Sequence, residues 1–200
     1  MNLTSDQIDA LTEIVNIGVG RAASALCDLT DRHIALRVPQ ITEWCGDEAR
    51  SEHPALNTSV IQDFSGLVTG RALLAFPRSS GIALTRLLSE EDAGQDELEM
   101  DLAGILEEVG NIVLNGVLGS LSNLLEGNLD YSVPQLSTDR GADEIISEQT
   151  ASHQNSRRTI LMADTHFEVA DSEIGGSLLL AFNMSQMEPL LDKLILSAEA

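Results

Sequence analysis

Two residue pairs carry the clearest chemical potential in this chain: Glu13 with Asn16, and Glu108 with Asn111. In each pair a carboxylate and an amide stand three positions apart, a spacing that makes them neighbours on one helical face. An ionised carboxylate accepts hydrogen bonds and pairs with cations, whereas an amide both donates and accepts. That combination suits holding a polar molecule next to a charged neighbour. The sequence contains no nucleophile elbow, no His-Glu-x-x-His and no cluster with metal-ligand spacing. His33, His53, His153 and His166 are scattered and read as ordinary loop or strand histidines. Gly18-Val19-Gly20-Arg21-Ala22-Ala23 fits a dinucleotide-binding pattern, but that pattern needs a strand before it and a helix opening after it. Here it lies within a helical stripe, so nucleotide binding is not expected.

The elements that hold the pairs are legible from periodicity. Ile8, Leu11, Val15, Val19, Ala22, Leu26 and Leu29 follow the spacing of an amphipathic helix, with Thr4, Ser5 or Asp6 as cap. Leu102, Ile105, Leu106, Val109, Val113, Val117, Leu121 and Leu124 repeat that pattern, ending near Gly127. At about 100° per residue, Asp9, Glu13, Asn16 and Gly20 fall opposite the first stripe. Gly104, Glu108, Asn111 and Asn115 occupy the same sector of the second helix. On a single helix such a pair reads as solvation. Against that, Asn is a poor residue for a helix interior, yet it recurs mid-helix in both. Gly18, Gly20, Gly110, Gly116 and Gly119 add further helix cost, which close approach by another molecule or tight packing would explain.

The recurrence belongs to an internal duplication. Residues 13–17 match 108–112 at an offset of 95, and the same offset carries Val38-Pro39-Gln40 onto Val133-Pro134-Gln135. Residues 70–76 match 176–182 at an offset of 106. Two repeats, about 1–93 and 97–200, are joined by the acidic segment 90–97 within a single domain. Each reads as a long helix, a strand (33–41; 128–136), a hairpin (59–64 with 67–76; 159–169 with 174–182) and a short helix (80–88; 185–196). The expected fold class is α/β of the α+β type. One mixed or antiparallel sheet of about six strands carries the two long helices on one face. The segments 44–57 and 139–158 read as polar loops.

Composition bounds the partners. The 200 residues suit one ordinary domain, and 43% hydrophobic against 3% aromatic residues implies a core of Leu, Ile, Val and Ala. Thirty-two acids against eleven bases leave a formal charge of −21. Nucleic acid and anionic membrane surfaces are therefore poor partners. With no secretory signal and no apolar run of about 20 residues, a cytoplasmic protein without membrane insertion is expected. Cys27 and Cys45 read as two reduced, structural thiols.

Asp9-x-x-x-Glu13-x-x-Asn16, then 22 residues, then Pro39 resembles the signature of the CheC/CheX/FliY family of chemotaxis phosphatases. The second copy gives Glu108-x-x-Asn111, then 22 residues, then Pro134, with Gly104 where the family has Asp or Ser. The resemblance spans essentially the whole chain, and two motif copies resemble the CheC branch. It implies a phosphatase acting on the aspartyl phosphate of a CheY-like response regulator. Asn16 and Asn111 would orient the attacking water, and Glu13 and Glu108 would dock against the receiver. Asp9, Pro39 and Pro134 would support the motif, the prolines structurally. No cofactor of its own is implied, since the receiver supplies Mg²⁺. An alternative is a non-catalytic binding module for a CheD-like receptor deamidase or a receiver. A monomer is expected because internal duplication can replace a dimer. Gly104 suggests that the first copy is at least as active as the second.

Overall fold

The computed structural model describes residues 3–44, 56–89, 95–151 and 160–198. Helix α1 (Ser5–Thr30) begins in a capping box. The Gln7 backbone N–H donates to Thr4 Oγ1, and the Thr4 N–H donates to Gln7 Oε1. Its buried stripe runs through Leu11, Val15, Val19, Ala22 and Leu26. Ile8, expected in that stripe, is exposed. Gln7 takes the inward position there and donates to Asp192.

Strands β1 (Ile34–Leu36) and β2 (Gln40–Trp44) follow, then β3 (Thr58–Gly66), β4 (Gly70–Phe76) and helix α2 (Arg78–Leu88). The second half runs α3 (Gln95–Leu124), β5 (Leu129–Tyr131), β6 (Gln135–Ser137), α4 (Ala142–Ala151), β7 (Ile160–Val169), β8 (Gly175–Asn183) and α5 (Met184–Ala198). Every described ladder is antiparallel, in the order β1-β7-β8-β4-β3-β5, with β2 also beside β7 and β6 beside β3. The sheet has eight strands where about six were expected. Each stretch taken as one strand, 33–41 and 128–136, is split in two just before Gln40 and Gln135. Pro39 and Pro134 stand at the splits, and proline has no N–H to give a ladder.

The register carries the duplication into space. In the β4–β8 ladder Leu73 faces Leu179, Ala72 faces Leu180 and Leu74 faces Leu178, so positions 106 apart are exchanged about one point. Phe64 meets Phe182, and Phe76 meets Phe167, both edge to face with ring centres 5.7 Å apart. These are all four phenylalanines of the chain. The early strands cross over: β1 and β2 pair with β7, while β5 and β6 pair with β3. Each half of the sheet is therefore completed by the other repeat.

One face of the sheet, with Val60, Phe64, Ala72, Leu74, Phe167 and Leu180, packs beneath α1, α2, α3 and α5. Gly18 lets α1 approach α3: a Cβ there would lie 3.3 Å from Val117 Cγ1. Gly110 seats α3 on the sheet, since a Cβ there would lie 2.6 Å from the Cβ of Val60. The opposite face is covered by α4, whose Ala142, Ile145 and Ile146 pack on Leu73, Ala75, Leu179 and Ala181. This helix lies where a polar loop was expected. Its apolar content is short, but it is aimed at sheet residues that alternation turns away from the long helices. Arg71 pins it there, pairing with Asp63 at 2.6 Å and donating to the Ile145 carbonyl at 2.9 Å. Helix α3 also starts earlier than its apolar stripe, inside the segment taken as a linker. The rest of that linker, most of segment 44–57, residues 152–159, Cys45, His53 and His153 lie outside the described residues.

Candidate functional site

Helix α1 presents Asp9, Glu13, Asn16 and Gly20 to solvent. Helix α3 presents Gly104 and Glu108, with Asn111 and Asn115 half-buried beside them. Neither Glu13 nor Glu108 pairs with a cation among the described residues. A carboxylate left unpaired on a chain of net charge −21 is open to a cation from another molecule.

The connections that hold the prolines flank these pairs. Arg37 N–H donates to the His166 carbonyl, and Ser132 N–H donates to the Asp63 carbonyl, matching bonds in the two copies. Pro39 is buried and Pro134 half-buried. Directly before them, Val38 and Val133 are 73% and 80% exposed. Each copy thus displays a carboxylate, an amide and an outward valine. Gly20, Gly104, Gly116 and Gly119 have open space where a Cβ would sit, so packing does not require them to be glycine.

The copies differ beneath the amide. The Asn16 side chain has no hydrogen-bond partner among the described residues. Asn111 Oδ1 accepts from Asn115 Nδ2 at 2.7 Å. Asn115 Oδ1 in turn accepts from Gln62 Nε2 at 3.0 Å, and the same nitrogen donates to the Ser132 carbonyl at 3.0 Å. Glu107 of α3 also accepts from the Leu136 N–H of β6. Asn115 is visible in the helical sector of Glu108 and Asn111, but Gln62 was missed. Its signal is a polar residue at an inward position, between Val60 and Phe64 in the alternation of β3.

The other candidates are accounted for locally. Gly18-Val19-Gly20 lies inside α1, where no strand-to-helix turn exists to cradle a phosphate. His166 Nδ1 lies 3.2 Å from Ser177 Oγ, and Cys27 is a free thiol. Among the described residues no group of three or more His, Cys, Asp or Glu converges, and no helix is long and apolar enough to cross a membrane.

Residues 7–43, which hold the first motif copy from Asp9 to Pro39, match the model of the CheC-like family. Over 146 residues the chain is 30% identical to the CheY-P phosphatase CheC of Bacillus subtilis (strain 168), an alignment covering 68% of each chain. The chain belongs to the CheC-like family. Its fold is similar to Thermotoga maritima FliY, with a TM-score of 0.72, 18% identity and 98% of both chains covered. It is also similar to CheX in the crystal structure of the CheX-CheY-BeF3-Mg+2 complex from Borrelia burgdorferi. There the TM-score is 0.56 at 18% identity, covering 86% of this chain and 99% of that one. The FliM middle domain from H. pylori has the fold too, at a TM-score of 0.62 and 10% identity, covering 96% of this chain and 99% of that one.

Proposed function

We propose that the protein hydrolyses the aspartyl phosphate of a CheY-like response regulator in the cytoplasm. Phosphoryl transfer asks little covalent chemistry of a protein; it requires an in-line nucleophile and neutralised charge. The receiver's Mg²⁺ supplies that neutralisation when bound. Asn16 and Asn111 insert toward the phosphoryl group, and each amide holds a water in line by accepting one of its hydrogen bonds. The water oxygen bonds to phosphorus as the bond to the aspartyl oxygen breaks. The electron pair leaves with the aspartate carboxylate, and the water proton departs with inorganic phosphate. Fixing the water's position lowers the entropy cost of attack. Glu13 and Glu108 pair with a receiver cation and set the docking register, with Val38 and Val133 adding apolar contact.

What carries this reading is that both carboxylate–amide pairs stand on accessible faces of matching helices, with both carboxylates unpaired among the described residues. The family relation to a CheY-P phosphatase supports the substrate class. The test mixes the protein with a phosphorylated chemotaxis receiver and Mg²⁺ and follows decay of the phosphoryl group. Decay is expected to accelerate with the native protein and to return to the receiver's own rate with the Asn16→Ala/Asn111→Ala double variant. Binding of the receiver without any acceleration would overturn the enzymatic reading in favour of a binding module. Such a module would serve a receiver or a CheD-like deamidase.

A further inference from the structure

Gln62 is a buried polar residue on the inner face of the sheet, only 1% exposed. Its Nε2 has two partners, the Ser132 carbonyl and Asn115 Oδ1, each at 3.0 Å, while its Oε1 is buried with none. A buried unpaired acceptor costs stability, and an apolar residue of similar shape would avoid that cost. The compensation lies in what the amine end does.

Side-chain amides have two ends of similar shape, and their orientation follows from the bonds they make. Here one end of the series is fixed. The Ser132 carbonyl can only accept, so the NH₂ of Gln62 must face it. The same NH₂ reaches Asn115, so Asn115 must offer its oxygen. Its own NH₂ then points to Asn111 and meets Oδ1 at 2.7 Å. A backbone carbonyl in the β5–β6 connection thereby sets the direction of three amides in a row, the last being Asn111. An unrestrained Asn turns through a broad, roughly two-fold torsion, whereas this one is held in a single sense.

We propose that Gln62 and Asn115 are positioning residues for Asn111. They hold its carbonyl oxygen in one orientation, with the second lone pair of Oδ1 and the Nδ2 hydrogens left for water and receiver. This rests on the reading of Asn111 as the water-orienting residue. Among the described residues the first copy has no equivalent relay. At the offset of 95, Gly20 stands where Asn115 is, and β7 carries Thr165 where the matching hairpin register has Gln62. Thr165 Oγ1 is buried without a partner.

The test uses the full chain in an Asn16→Ala background, so that only the second copy acts. Asn115→Asp keeps size and still accepts from Gln62, but it cannot donate, so Asn111 must turn its NH₂ toward it. Acceleration of receiver dephosphorylation is expected to fall at least about tenfold, with unchanged affinity for the beryllofluoride-loaded receiver. Asn115→Ala, which frees the amide without inverting it, is expected to lose less. A second readout is independent of turnover: Gln62→Met should shift the side-chain amide resonances of both Asn115 and Asn111 in ¹⁵N-resolved spectra. Full activity in Asn115→Asp, where Asn111→Ala abolishes it, would overturn the positioning role and leave the phosphatase reading intact. Loss of nothing in Asn111→Ala would overturn the phosphatase reading instead. The resonances then decide the relay alone, and an unmoved Asn111 signal in Gln62→Met refutes it.

Discussion

Leu73 and Leu179, the same position in two copies of one repeat, face each other directly in the central β4–β8 ladder. Both are buried against α4. Truncating a buried leucine to alanine costs about 2–5 kcal/mol. Leu73→Ala and Leu179→Ala should therefore destabilise by similar amounts within that range. Because the residues touch, the double variant should depart from additivity by at least about 0.5 kcal/mol. Urea unfolding of the four proteins measures this; strictly additive losses would show that the two sites do not interact.

The strand crossover makes each repeat dependent on the other. Among the described residues, β1 and β2 find their ladder partner only in β7, and β3 takes β5 and β6 from the second repeat. Residues 1–93 expressed alone should not fold as a monomer, because β3 and β4 would each expose an edge. Chromatography with light scattering and amide exchange checks this. A protected, monomeric half would contradict the interlocked sheet.

Two glycines on the long helices should respond in opposite directions to alanine. Gly110→Ala drives a methyl into Val60, whose branched side chain has little freedom to yield, and should lower the melting temperature. Gly20→Ala meets nothing within 4 Å and removes a helix cost of about 1 kcal/mol, so it should raise it. Equal effects at both positions would refute this packing.

The two motif copies should not contribute equally to receiver dephosphorylation. The missing side chain at Gly104 favours a first copy at least as active as the second, but the relay beneath Asn111 points the other way, because the Asn16 side chain has nothing comparable among the described residues. Phosphate release should fall further in Asn111→Ala than in Asn16→Ala. The reverse order would mean that the residue opening the motif, Asp9 or Gly104, outweighs amide orientation.

The parts of this arrangement that were legible in the sequence follow simple periods. The stripe from Leu11 to Leu26 marks one face of α1 and so puts Glu13 and Asn16 on the other. The repeats in 70–76 and 176–182 mark the central ladder. Helix α4 escaped because the residues that pack it on the sheet, Ala142, Ile145 and Ile146, stand among polar ones and are too few to fix a period. The breaks at Pro39 and Pro134 were visible as prolines, but extended chain on both sides concealed two strands. Gln62 could not be linked to Asn111 from sequence, because 49 positions separate them and only the seating of α3 on β3 brings them together.

In the proposed reaction the asparagines act on the phosphoryl group while the glutamates secure the partner. Single-turnover decay of a phosphorylated receiver, with affinity for its beryllofluoride form measured in parallel, separates these roles. Asn16→Ala/Asn111→Ala should abolish acceleration and retain affinity, whereas Glu13→Ala/Glu108→Ala should weaken affinity about tenfold or more. Undiminished acceleration in the asparagine variant at full receiver occupancy would contradict these roles.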